Sequence, residues 1–127
     1  GSALAPYGPL GKGQPHPRSY GTFPRVLGKY VREERVAPLE AMVRKMTSVP
    51  AARFGIARRG ALKAGNFADI VVFDPDKVRD AATWSDPHRY PEGIPHVLVN
   101  GRPVIADGEH TGALPGVVLR KGSPEAS

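Results

Sequence analysis

The chain predicts an α+β fold, with short helices first and a small, mostly antiparallel β-sheet after them. Apolar residues recur at helical spacing between residues 23 and 54, then give way after residue 65 to continuous β-branched runs. An Asn100-Gly101 pair separates two of those runs, the strongest short-range hairpin signal in the chain. The 127 residues amount to one small domain, and 15 glycines with 14 prolines imply short elements joined by long loops. At 40% hydrophobic and 24% charged residues, the chain is too apolar to be disordered. Cysteine is absent, which excludes disulfides, thiolate nucleophiles and Cys-ligated zinc. No run approaches the roughly 18 apolar residues of a membrane helix, and the start lacks a signal-peptide core. No membrane partner is expected, and the location is expected to be cytoplasmic.

Residues 1–19 carry four prolines and four glycines and read as a loop or tail. Thr22 reads as an N-cap and Pro24 as the first helical position. Phe23, Leu27, Tyr30 and Val31 then fall on one stripe of a helix over about 23–34. Pro38 opens a second helix whose apolar face is Leu39, Met42, Val43 and Met46. Ser48-Val49-Pro50 breaks it, and a third turn, Ala51 to Phe54, is stopped by Gly55. Residues 20–59 are therefore the helical segment and 60–120 the β segment. In the latter, Ala68–Asp74 reads as a strand buried on both faces. His96–Val99 and Arg102–Ile105 form the hairpin about Asn100-Gly101, with Pro103 turned off the ladder. Residues 75–95 read as a long ordered loop, Val117–Leu119 as a further strand, and 121–127 as a frayed tail.

The net charge of +6 is unevenly placed: residues 1–65 carry twelve Lys/Arg against three Asp/Glu, residues 66–127 six against nine. No nucleic-acid-reading motif accompanies the excess, so no nucleic-acid partner is expected, and a cationic face made to meet another protein surface fits equally well. His16, His88, His96 and His110 show neither His-x-His nor His-Glu-x-x-His spacing, so no metal ligand is assigned. Nucleophile elbows and phosphate loops are missing too, so no catalytic residue is assigned. Asp69 and Asp74 flank a strand, where carboxylates commonly cap loops. His16-Pro17-Arg18 is more pointed, because a guanidinium on a Pro-stiffened loop suits bidentate recognition of a carboxylate.

At these residues the chain resembles a known family. The stretch from His16-Pro17-Arg18-Ser19-Tyr20-Gly21-Thr22 through Gly28-Lys29-Tyr30-Val31-Arg32-Glu33 resembles the segment after the catalytic loop of N-acyl-D-amino-acid deacylases, the D-aminoacylases. Leu39–Gly55, with Met46-Thr47-Ser48-Val49-Pro50, is similar to the next helical piece. Gly60–Asp74 and Val99-Asn100-Gly101 resemble the C-terminal β part shared across the amidohydrolase superfamily. The Asp86–Ile94 loop, together with His16–Glu33, narrows the likeness to the deacylases. It extends from about Ala3 to Arg120.

The resemblance implies a C-terminal portion of a longer enzyme, built from a (β/α)8 barrel and a small β-sandwich. Residues 20–59 would belong to the barrel end and 60–120 to the sandwich. It implies zinc in the parent enzyme, bound by ligands upstream of this chain, and a catalytic Asp in a Ser-Asp-Gly motif just before Ala3, where Gly1-Ser2 stands here. The parent reaction would be hydrolysis of an N-acyl-D-amino acid by metal-activated water. Arg18 carries over as the residue that binds the substrate's α-carboxylate. The chain alone is then expected to be inactive, to bind no zinc, to have the missing N-terminal barrel portion as its partner, and to self-associate. Two alternatives stand beside this: a free-standing basic β-rich binding module, and a piece of a hydantoinase-like ring-opening amidohydrolase, against which the His16–Glu33 stretch argues.

Overall fold

The computed structural model describes residues 5–120. Gly1-Ser2 and the tail from Lys121, for which expectations were stated above, lie outside them. The chain divides into two compact units. One comprises the chain up to Ala37 together with Phe73–Gly93; the other comprises Pro38–Val72 and the chain from Ile94.

In the first unit, α1 (Arg18–Arg25) continues without a break into a π-helical segment, Val26–Glu33. The helix thus begins inside the stretch read as a loop, not at residue 23. Pro17 supplies the preset φ at the true start, and His16 and Pro17 carbonyls accept the first-turn N–H groups of Ser19, Tyr20 and Gly21. Thr22 does not cap: its hydroxyl donates back to the Arg18 carbonyl at 2.7 Å. Pro24 lies within α1 and has no N–H to return to the preceding turn. Directly after it the winding widens, so that Glu34 N–H reaches Lys29 O at 2.9 Å. Arg35 ends the run in the left-handed region, at φ 52°.

The buried face is also not the expected stripe. Gly21, Pro24, Leu27 and Gly28 are buried, whereas Phe23 is 61% exposed. The reason is a close backbone approach. A methyl group at Gly28 would stand 2.6 Å from the Val78 carbonyl oxygen, and one at Gly21 would stand 2.8 Å from Asp80 Cβ. Glycine at both places lets residues 78–80 lie on the helix, and Val78 is fully buried there. Arg32 completes the seam, donating to Val78 O at 2.8 Å and to Pro75 O at 3.1 Å. The 75–93 segment is the ordered loop the sequence predicts, pinned by an Arg79–Glu92 bridge and an Asp74–Asp76 turn. The Asp76 N–H, and after it Lys77, hold the Asp74 carboxyl below its usual range.

In the second unit, α2 (Leu39–Met46) follows Pro38, and its four apolar positions are half-buried as a face. The break falls at Thr47 (φ −127°, ψ −87°), and α3 (Ser48–Phe54) takes Pro50 into its first turn. Gly55, at φ 67°, ends it. Four antiparallel strands follow in the order β1 (Ile70–Val72), β2 (His96–Val99), β3 (Arg102–Ala106) and β4 (Glu109–His110). Asn100 and Gly101 have φ of 49° and 76°, the two positive values that a type I′ hairpin demands. Val99 pairs with Arg102 and Leu98 with Pro103, followed by a register shift between Val97 and Leu98. Bonded and non-bonded pairs alternate, so the Pro103 nitrogen faces away from β2, at a level β4 does not reach.

Two strand expectations need correcting. β1 has three residues and is an edge with β2 as its one neighbour. Val71 is 55% exposed, because nothing within this unit covers that face. Residues 117–119 form no strand. β4 arises instead through a second positive-φ turn, Asp107-Gly108.

The helix seam gives a test. Alanine is favoured over glycine in a helix by about 1 kcal/mol, but overpacking against fixed backbone costs about 1–3 kcal/mol. Because the 2.6 Å approach is to backbone, the overpacking cost falls in the upper half of that range, and Gly28→Ala is expected to destabilise the protein by about 1–2 kcal/mol net, read as a lower urea midpoint. An unchanged or raised midpoint would show that residues 78–80 do not rest on the helix.

Candidate functional site

Arg18 is the first residue of α1, and its side chain is exposed. Pro17, at the cap position, has no acceptor side chain, and His16 substitutes: its Nδ1 accepts the Arg18 N–H at 3.0 Å. The His16 ring in turn meets Trp84 edge-on, centroids 4.4 Å apart. Two residues beyond Arg18, the Tyr20 hydroxyl lies 3.1 Å from His88 Nδ1, and the other ring nitrogen of His88 lies 3.0 Å from the Gly13 carbonyl. Tyr20 also packs edge-to-face on Tyr90, centroids 5.8 Å apart. Burial first, then the neighbouring Tyr7 and Tyr20, pushes the Tyr90 hydroxyl above its ordinary pKa. Among the described residues, no carboxylate pairs with the Arg18 guanidinium. Among these residues it is an unpaired cation at the start of α1.

The sequence singled out Arg18 and the Asp86–Ile94 loop separately; nothing in it places Trp84, His88 and Tyr90 beside the Arg18 turn, as the structure does. Nearby, a concavity of about 380 Å³ is lined by Arg25, Arg79, Asp80, Ala82, Arg89 and Glu92. Four of its charges are engaged with one another, Arg25 with Asp80 at 3.0 Å and Arg79 with Glu92 at 2.6 Å, and Arg89 pairs with Asp86 at 3.8 Å.

In the second unit, Arg59 was not anticipated. Its side chain is 9% exposed, lies over the Phe67 ring at 4.1 Å, pairs with Asp69 and donates to Asn100 Oδ1 at 2.7 Å. Asp69 also accepts the Asn100 N–H at 2.9 Å, so the carboxylate ties the hairpin turn to the start of β1. Asp69 and Asp74 thus do the loop-capping work read from the sequence.

The residues present do not suit zinc. Among the described residues, no group of three or more His, Asp or Glu is placed to hold a metal. All four histidines have Nδ1 committed: His16 to the Arg18 N–H, His88 to Tyr20, His96 to the Asp107 N–H and His110 to the Gly112 N–H.

Residues 8–105 match the amidohydrolase family. The chain belongs to that family. It is 54% identical over 108 residues to D-aminoacylase from Alcaligenes xylosoxydans xylosoxydans, covering 85% of this chain and 22% of the relative. It is 51% identical over 118 residues to N-acyl-D-glutamate deacylase from the same organism, covering 89% and 24%. The crystal structure of N-acyl-D-glutamate deacylase from Bordetella bronchiseptica, complexed with zinc and a phosphonate inhibitor that mimics the tetrahedral intermediate, superposes with a TM-score of 0.71. It is 53% identical, over 76% of this chain and 21% of that one. This amidohydrolase chain thus spans under a quarter of the length of the relatives it matches.

The lack of a ligand set gives the next prediction. A ligand that binds only the folded state raises its unfolding temperature in proportion to the logarithm of concentration. Zinc titrated into the 127-residue chain is expected to leave the thermal midpoint unchanged. A midpoint that climbs with zinc would reveal a site that these histidines do not form.

Proposed function

We propose that this chain is the C-terminal portion of a zinc-dependent enzyme that hydrolyses N-acyl-D-amino acids to a D-amino acid and a carboxylic acid, and that Arg18 binds the substrate's α-carboxylate. The observation that carries the reading is the exposed guanidinium of Arg18, unpaired among the described residues, at a helix start whose flanks are held at Gly13, His16 and Tyr20. Relatives named for different acyl-D-amino acids match this chain almost equally well. That supports a role in recognising what those substrates share, the carboxylate, over what distinguishes them.

A guanidinium presents two parallel N–H groups at the spacing of the two carboxylate oxygens, which fixes orientation as well as charge. A lysine offers a point charge and no fork. The metal chemistry of the parent enzyme belongs, on this reading, to residues beyond this chain, so the chain alone is inactive. We place residues 20–59 at the end of the parent's (β/α)8 barrel and residues 60–120 in its small β-sandwich. The missing N-terminal barrel portion is the partner, and a cytoplasmic location belongs to the same reading. No helix among the described residues is long and apolar enough to cross a membrane.

Arg18→Lys in the full-length protein is expected to raise KM and lower kcat/KM by about 1.5–3 kcal/mol, the size of a charge-assisted bond. Steady-state kinetics on an N-acetyl-D-amino acid reads it, and unchanged constants would make Arg18 a surface residue. Val71, Val72, Val117 and Val118 are exposed, and β1 leaves one edge unpaired. The isolated chain is therefore expected to elute in size exclusion, with light scattering, at more than its monomer mass. A monodisperse monomer at high concentration would favour a self-sufficient binding module.

A further inference from the structure

We propose that His88 is the positioning residue for substrate-carboxylate binding, clamping the loop that carries Arg18 from both sides; this rests on the reading of Arg18 given above. Arg18 occupies a poor place for a precise contact. The first turn of a helix frays, and here the cap position is a proline with no side chain able to accept an N–H. A misplacement of about 1 Å in a binding group costs a large factor in rate. Something outside the helix must hold the turn, and His88 meets it on each side of Arg18, at Gly13 and at Tyr20.

The chemistry of the Gly13 contact places a proton on one nitrogen of the ring. The Gly13 carbonyl can only accept, so His88 Nε2 carries the proton and donates at 3.0 Å. Nδ1 and the Tyr20 hydroxyl share the second hydrogen bond, at 3.1 Å. One imidazole thereby joins two points seven residues apart in the sequence, with Arg18 between them. Trp84, from the same loop as His88, presses on His16 and supports the Arg18 N–H bond from a third side. The 84–90 segment otherwise has no assigned task. Its aromatic and imidazole groups converge on Gly13, His16 and Tyr20, the residues that flank Arg18.

The experiment uses the full-length protein with two substrates, an N-acetyl-D-amino acid and its primary carboxamide, which lacks the negative charge. The readout is the ratio of their kcat/KM values. His88→Phe keeps a ring beside Tyr20 but removes both hydrogen bonds, and Tyr20→Phe removes one of them. His88→Phe is expected to lower the ratio about five- to tenfold, through KM for the acid, and Tyr20→Phe to lower it about threefold, as loss of two bonds and of one should do. A general loss of fold would depress both substrates alike and leave the ratio where it was. Arg18→Ala is run alongside. If it collapses the ratio while both other variants leave it intact, the clamp is overturned and the carboxylate reading stands. If Arg18→Ala leaves the ratio intact, the carboxylate reading is overturned and the clamp falls with it.

Discussion

A carbonyl oxygen can lie against a helix barrel only where the helix carries no side chain, and at Gly28 the Val78 carbonyl does so. The rest of the first unit depends on that approach. Val78 is buried because its backbone is in contact, and Arg32 reaches the same carbonyl. With residues 75–80 seated, the following loop returns through the Arg79–Glu92 bridge and delivers Trp84, His88 and Tyr90 to the start of the helix. The seam at Gly21 and Gly28 and the clamp at Tyr20 are therefore two ends of one contact between a helix and a loop distant in sequence.

The second unit is held differently. There the organising group is a charge, Arg59, withdrawn from water and compensated on several sides by Asp69, Asn100 and the face of Phe67. Desolvating a guanidinium is costly unless its partners are already in place; two of them are, since Asp69 is also bonded to the hairpin backbone and Asn100 donates to the Pro115 carbonyl, while the buried Nε of Arg59 has no hydrogen-bond partner. The network joins the segment before β1, the β2–β3 turn and the chain after β4. It holds together a sheet whose apolar face has too little cover of its own.

What the sequence disclosed follows from the range of each interaction. The Asn100-Gly101 hairpin, the Leu39–Met46 helix and the stop at Gly55 are decided within a few residues by φ preferences and caps, and all were legible. The start of α1 was not, because Pro17 and Pro24 are equally good first-turn residues. The choice between them falls to what packs on Gly21 and Gly28. The Ala68–Asp74 run has the composition of a strand covered on both faces, yet the cover must come from other chain segments, and Val71 stays in solvent. Arg59, in a run of two arginines, looks like any surface cation until Asp69 and Phe67 are placed around it. Arg18 stood out in its His-Pro-Arg setting, whereas the imidazole that meets its neighbour Tyr20 lies 68 residues further along the chain and could not be paired with it by sequence.

The same contacts bear on the positive charge of the first half of the chain. An excess of this kind on a free surface would attract any polyanion. Here much of it is engaged: Arg25 with Asp80, which raises the affinity of the guanidinium for its proton, Arg32 with two backbone carbonyls, Arg58 with the Gly65 carbonyl, and Arg59 with Asp69. Arg32 and Arg59 each donate to two acceptors and so join segments distant in sequence, work for which a planar fork is better suited than an ammonium group. Arg18 shares their chemistry but not their partners. Among the described residues no carboxylate engages its guanidinium, and that difference from the other arginines is what the proposed carboxylate role draws on.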